Sequence, residues 1–279
     1  MDIYQKIVTF KQRNIAAVVV TAIEKEGQGP VEVGKKMIVG ENNEAYGTVG
    51  GGALEMHARS VCKSVLKARK HRKEKYLLDD GKIREDTKTL PMVCGGVVTL
   101  FYEYIGADNT IYIFGAGHVG QALVNTLRPL NFHLIVIDER KNVIEAFTGA
   151  DETVHKTFTE YLDNHPIKED AFIVVCTPNH AHDYHVINKV LEHKYHPKYM
   201  GMLCSQEKLK DYLEKTYETF GKDIDLSHFY SPIGLAIGGS SPEAIAISIA
   251  SEILAIHHDK TSIKHMREVD NEHNRYWED

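Results

Sequence analysis

The sequence predicts an α/β chain whose C-terminal part is a doubly wound parallel sheet, preceded by a smaller N-terminal α+β domain. Three observations predict it. Ile111, Tyr112, Ile113 and Phe114 form an uninterrupted apolar run, short and rich in β-branched and aromatic residues, as a parallel strand covered on both faces requires. Gly115, Gly117 and Gly120 follow at G-x-G-x-x-G spacing, with a helical pattern (Val119, Leu123, Leu127) beginning inside the motif. A second apolar run, 134–137, closes on Asp138, so strand, glycine turn, helix and strand make one Rossmann-like unit.

The N-terminal part reads as strands broken by turns. Residues 1–13 carry Ile3, Ile7, Val8 and Phe10 at near-helical spacing, and Asn14 ends that pattern. The β-branched density of 16–23 predicts a buried strand. Gly27, Gly29, Pro30 and Gly34 mark a loop. Strands 36–39 and 45–49 flank the polar turn Glu41-Asn42-Asn43-Glu44. Next comes Gly47-Thr48-Val49-Gly50-Gly51-Gly52-Ala53-Leu54-Glu55, a glycine loop feeding a helix marked by Leu54, Ala58, Val61 and Val65. It has the logic of a phosphate cradle without the G-K-[ST] ending of a P-loop. A tight strand-to-helix crossing is the alternative, and residue chemistry leaves both open. The basic run 67–73 is expected to be the charged C-terminal end of that helix, with a partner-docking patch as the alternative. A short strand at 74–78, a turn at 79–81 and a loop over 82–89 follow. Cys94, just before Gly95 and Gly96, is a candidate thiolate ligand or nucleophile, because free backbone N–H groups there can stabilise an anion; a buried structural thiol is the alternative. Strand 97–105 then runs to the linker Gly106-Ala107-Asp108-Asn109, which bounds an N-terminal domain 1–106 from a nucleotide-binding domain 110–256 and a polar tail 257–279.

In the second domain each glycine of the motif has a task. Gly115 permits the tight turn, Gly117 lets backbone approach a pyrophosphate, and Gly120 lets helix and strand pack closely. The helix N-terminus offers N–H groups and partial positive charge to an anion. Asp138 stands about twenty residues beyond the motif, where a carboxylate accepts ribose hydroxyls. Arg140 lies two residues on and can pair with a 2′-phosphate, so NAD and NADP both remain open. Strands are expected at 153–156, 171–176 and 199–203. Loops at strand carboxyl ends surround the ligand crevice of such a sheet, so 177–183 faces the same crevice as Gly115. His180, His182 and His185 fall there with Asp183. His182 and His185 are three apart on a helix, but no third ligand stands at a matching spacing, and no metal site is assigned. Helices are expected to about residue 193 and over 207–220. The loop 229–239 is too apolar and glycine-rich for a linker. Ser241 as N-cap, with Pro242 in the first turn, opens a last helix through Ile245, Ile249, Ile253 and Ile256. A fraying extension is expected over 257–279.

At 279 residues, with 43% hydrophobic and 26% charged, the chain suits two soluble domains. A net charge of -6 gives no global basic field for nucleic acid or anionic lipid. No apolar run approaches a membrane span, and the start is no signal peptide. Cys62, Cys94, Cys176 and Cys204 lack C-x-x-C spacing, which argues against a zinc ribbon or disulfide framework and for a reducing cytoplasm.

The ordered motifs resemble the XdhC/CoxI family, accessory factors that mature molybdenum hydroxylases such as xanthine dehydrogenase. The resemblance is carried by the glycine loop 47–55, Cys94-Gly95-Gly96, Gly115-Ala116-Gly117-His118-Val119-Gly120, Thr177 with His180 and Asp183, Gly201-Met202, the loop 231–238 and the segment 241–249. It implies a dimeric protein that binds molybdenum cofactor (molybdopterin, alone or in dinucleotide form), protects it, assists its sulfuration and hands it to an apo-hydroxylase, with a cysteine desulfurase as a further partner. Under it Gly50, Gly51, Gly52, Glu55 and Cys94 belong to a face of the first domain. The crevice of the second is lined by Gly115, Gly117, His118, Gly120, Asp138, Thr177, His180 and Asp183. Two alternatives stand beside it. An NAD(P)-dependent oxidoreductase would draw its proton relay from His118, His180 or His182, with no tyrosine–lysine pair in view. A nucleotide-binding docking module would carry no chemistry.

Overall fold

A computed structural model describes residues 2–29, 31–79, 82–92, 96–260 and 262–264. The chain divides into two compact units, 1–108 and 109–279.

The first unit opens with α1 (Ile3–Gln12), then β1 (Ala17–Glu26), β2 (Lys36–Gly40), β3 (Ala45–Gly47), α2 (Gly52–Ala68), β4 (Arg72–Leu77), β5 (Lys88–Thr89) and β6 (Val97–Ile105). Among the described residues these form a six-stranded sheet in the order β3-β2-β1-β6-β4-β5, antiparallel except for the β4–β5 pair. The alternation hidden in 16–23 becomes visible here. Ala17 and Val19 pack with Phe10 of α1, whereas Val18, Val20 and Ala22 pack with Leu54, Ala58 and Val61 of α2. A helix on each face makes both parities apolar, so the strand shows no polar side.

Three expectations change in this unit. The basic run is no simple helix end: α2 stops at Ala68, Arg69 turns left-handed at φ 52, and Arg72 and Lys73 already pair in β4 opposite Tyr102 and Phe101. The polar segment after residue 82 is not all loop, because Lys88 and Thr89 hydrogen-bond beside Tyr76 and Leu77. Strand β3 ends at Gly47, two residues early, since Thr48 and Val49 turn to meet Glu55.

The second unit alternates strand and helix: β7 (Thr110–Phe114), α3 (His118–Leu127), β8 (His133–Asp138), α4 (Lys141–Ala146), β9 (Glu152–His155), α5 (Phe158–Asn164), β10 (Phe172–Val175), α6 (His180–Glu192), β11 (Tyr199–Met202), α7 (Gln206–Phe220), β12 (Phe229–Tyr230) and α8 (Pro242–His257). All ladders are parallel. The described strands run β12-β11-β10-β7-β8-β9, the doubly wound order that reverses between the first and fourth strands. Ile111, Ile113, Phe172 and Val174 meet residues of α3 and α8 on one face; Tyr112, Phe114, Ile173 and Val175 meet residues of α5, α6 and α7 on the other.

The Ser241 side chain caps α8 by accepting from the Ala244 N–H at 3.2 Å. That helix stops at His257, where Asp259 turns left-handed and the Lys260 N–H closes on the Ala255 carbonyl at 2.8 Å. The expected helical extension therefore does not begin, and 261 and 265–279 lie outside the described residues. No helix among the described residues is long and apolar enough to cross a membrane.

Candidate functional site

The reversal of strand order leaves a crevice beyond the carboxyl ends of β7 and β10, where ligands of such sheets bind. The glycine motif enters it from β7. Gly115 adopts φ +120, and a Cβ there would stand 2.4 Å from the Cys176 carbonyl oxygen at the end of β10. Gly120, in the first turn of α3, would place a Cβ 2.1 Å from the Gly115 carbonyl oxygen. Gly117 differs: it is the N-cap of α3 with φ -74, and a Cβ on it would meet nothing within 4 Å. Two glycines are demanded by close backbone approach; the third faces open space at the helix N-terminus.

That space belongs to a cleft of about 750 Å³ lined by Gly117, His118, Arg140, Thr177, Leu203 and Pro242, among others. Leu203, Ser240 and Pro242 come from segments that sequence reasoning did not assign to the crevice. The Ser241 cap is the signal that could have placed Ser240 and Pro242, because it starts a helix whose first turn lines the cleft. Leu203 follows the carboxyl end of β11, where such crevices lie. His118 is exposed in the first turn of α3. His180 is the first residue of α6, beside the N-cap Asn179.

Asp138 ends β8 and is fully buried. Its Oδ2 accepts from the Ala116 N–H (2.8 Å) and Arg140 Nη2 (2.7 Å), and its Oδ1 from Arg140 N–H and Nε, both at 2.9 Å. Burial pushes its carboxyl up, but Arg140 and the two amides more than reverse this and hold it below the usual carboxylate range. Asp138 thus ties the glycine turn to Arg140. Asp183, also buried, accepts from the Thr177 N–H at 3.0 Å, with the Thr177 hydroxyl 2.7 Å away. It fixes the turn after β10. Cys176 donates a weak S–H contact to the Gly115 carbonyl at 3.6 Å, and burial pushes its thiol up to about 12.

In the first unit Gly50, Gly51 and Gly52 have φ of 129, 75 and 60, a left-handed run that glycine permits. Glu55 fills the concavity they make. Its Oε1 accepts from the Val49 N–H (3.1 Å), the Gly51 N–H (3.0 Å) and the Thr48 hydroxyl, while the Gly50 N–H reaches Thr48 Oγ1 at 3.2 Å. Burial raises its carboxyl, but Thr48 and the loop amides outweigh that and lower it. The chain supplies its own anion here. Cys94 lies outside the described residues.

A second carboxylate network, unforeseen from sequence, sits between α2 and the sheet. Glu74 is buried and bonded to Arg72, to Lys88 Nζ at 2.8 Å and to the Tyr76 hydroxyl at 2.5 Å. Tyr76 has one proton and gives it to Glu74, so the Tyr102 hydroxyl, 2.7 Å away, donates to Tyr76. Among the described residues no three His, Cys, Asp or Glu side chains gather as a metal site. His182 lies 3.5 Å from Glu139, and His185 bonds Thr159 at 2.6 Å.

Two family models match the chain: one described as the XdhC Rossmann domain over residues 111–253, the other as the XdhC and CoxI family over residues 11–77. The protein YqeB of Escherichia coli K12 is 26% identical over 259 residues, 92% of this chain and 46% of that protein. A Bacillus subtilis protein named as a probable xanthine dehydrogenase component is 31% identical over 157 residues, 56% of this chain and 45% of that protein. The chain spans under half the length of these curated relatives. A solved Bacillus halodurans chain described as a xanthine dehydrogenase superposes with a TM-score of 0.49 at 20% identity, covering 95% of this chain and 98% of that one.

Proposed function

This chain belongs to the XdhC and CoxI family, and from that premise we propose that it is an accessory factor for a xanthine dehydrogenase-type molybdenum hydroxylase. It takes molybdenum cofactor as cargo, assists its sulfuration and passes it to the apoenzyme, acting in the cytoplasm as a homodimer with a cysteine desulfurase as a further partner. One observation carries the reading: the cleft at the strand reversal combines an open Gly117 with a lining free of carboxylates among its described residues. A phosphate group can approach that backbone, and none of these side chains repels it. About 750 Å³ is ample for a nucleotide-sized guest.

Within this reading the second unit holds the phosphorylated part of the guest, through Gly117, His118 and the α3 amides. Asp138 and Asp183 position the two turns that face it. The loop 50–52 would bind cargo only after Glu55 is displaced. Cys94 is the proposed thiol for sulfur chemistry, on the strength of its sequence setting. A nicotinamide nucleotide is a second guest the same cleft suits, given Arg140 at the end of β8; hydride transfer would further require a relay, for which His118 is the candidate at the cleft.

The test is reactivation of a cofactor-free hydroxylase under anaerobic conditions with cofactor supplied on this protein. Faster or more complete reactivation than with free cofactor supports the role. Reactivation that does not change when this protein is added refutes it.

A further inference from the structure

The two residues that decide which ribose a cleft of this kind accepts are both in place, and their pairing sets the outcome. At the end of the second strand of a doubly wound sheet, an available carboxylate accepts from a ribose 2′-hydroxyl, whereas a nearby arginine accommodates a 2′-phosphate. Asp138 is not available: it is fully buried and each oxygen already accepts two hydrogen bonds. A ribose hydroxyl would have to displace either the Ala116 amide, which shapes the glycine turn, or the arginine head.

Arg140 is the opposite case. Its Nε and Nη2 edge faces Asp138, which leaves the Nη1 amino group on the far side of the guanidinium. The side chain is 37% exposed and lines the cleft. Among the described lining residues it bears the one permanent charge; its Nε–Nη2 edge is paired with the buried Asp138, and the cleft lining adds no further carboxylate beside it. Asp138 holds the planar head in one orientation, so little rotamer freedom is lost when it meets an anion.

Resting on the nucleotide reading of the cleft, we propose that it selects an adenylate phosphorylated on the ribose 2′-oxygen, of the NADP type, over the unphosphorylated NAD type. Calorimetric titration of the full chain with NADP+, NAD+, 2′,5′-ADP and ADP tests it. NADP+ should bind about ten- to a hundredfold tighter than NAD+, with 2′,5′-ADP preferred over ADP by a similar factor, as expected for one or two charge-assisted bonds. The preference should narrow as salt rises, and Arg140→Gln should reduce it to within about threefold, mainly by weakening NADP+. Arg140→Lys keeps the charge without the fork and should retain part of it. Should Arg140→Gln unfold, the wild-type ratio and its salt dependence still decide. Equal affinities, or tighter NAD+, overturn the 2′-phosphate inference and leave the nucleotide reading standing. Failure of all four to bind at millimolar concentration overturns both.

Discussion

Replacing Gly117 and Gly120 by alanine, one at a time, adds the same methyl group at two points of one turn and should give opposite results. At Gly120 the new Cβ would stand 2.1 Å from the Gly115 carbonyl oxygen, where real Cβ atoms stay beyond about 3.0 Å. The neighbour is backbone, so α3 must lift from the turn by roughly 1 Å, an overpacking strain of about 1–3 kcal/mol. The better helix propensity of alanine returns up to about 1 kcal/mol and does not outweigh it. For a unit of this size the melting temperature should fall by roughly 2–10 °C. At Gly117 nothing lies within 4 Å and φ is -74. The weaker N-cap and the stiffer unfolded chain oppose each other, so stability should stay within about 1 kcal/mol of the parent. The methyl would, however, stand where a phosphate must approach, and binding of a nucleotide or phosphopterin should weaken at least about tenfold. Thermal melts with ligand titration on both variants decide the matter. A Gly120→Ala protein that melts like the parent refutes the packing argument. A Gly117→Ala protein that keeps full affinity refutes the cleft as the phosphate site.

Three further outcomes are expected. Glu55→Ala leaves the Val49 and Gly51 amides and the Thr48 hydroxyl without their acceptor; on a half-buried loop this should cost roughly 1–3 kcal/mol, and an unchanged melt would contradict the self-filled loop. Asp138 and Glu74 both titrate below the usual carboxylate range in the folded state. Their contribution is present at neutral pH and is lost as pH falls through those lowered values, so Asp138→Asn and Glu74→Gln should each be less stable near neutrality and show a flatter acid limb; limbs parallel to the parent would contradict the pairing. Burial pushes the Cys62 and Cys176 thiols up to about 12, which leaves roughly one thiolate in ten thousand at pH 8. Neither should alkylate in the native protein, and labelling of either at the rate of the half-buried Cys204 would show the packing to be wrong.

The central strand–turn–helix was legible because each of its parts is local: an apolar run, three glycines at fixed spacing and a helical stripe all fall within residues 110–127. Strand β6 and the Ser241 cap were legible for the same reason. Strands β5 and β12 are two residues each, too short for any period to show, and α4 and α5, of six and seven residues, make under two turns. Glu74 is held by Lys88, 14 residues away, and Tyr76 by Tyr102, 26 away, contacts that only tertiary packing creates. The sequence leaves the glycine loop 50–52 open between a phosphate cradle and a tight strand-to-helix crossing. That Glu55, one helical turn on, occupies it depends on the path of α2. Asp138 was found by its spacing, but its engagement by Arg140 depends on a side-chain rotamer that spacing does not reveal.

The most direct test of the account is anaerobic incubation of the protein with molybdenum cofactor, followed by gel filtration and measurement of molybdenum and pterin in the protein peak. The account predicts close to one cofactor per chain for the parent and a marked loss for Gly117→Ala. A parent protein that emerges without cofactor, or a Gly117→Ala variant that carries as much as the parent, would contradict it.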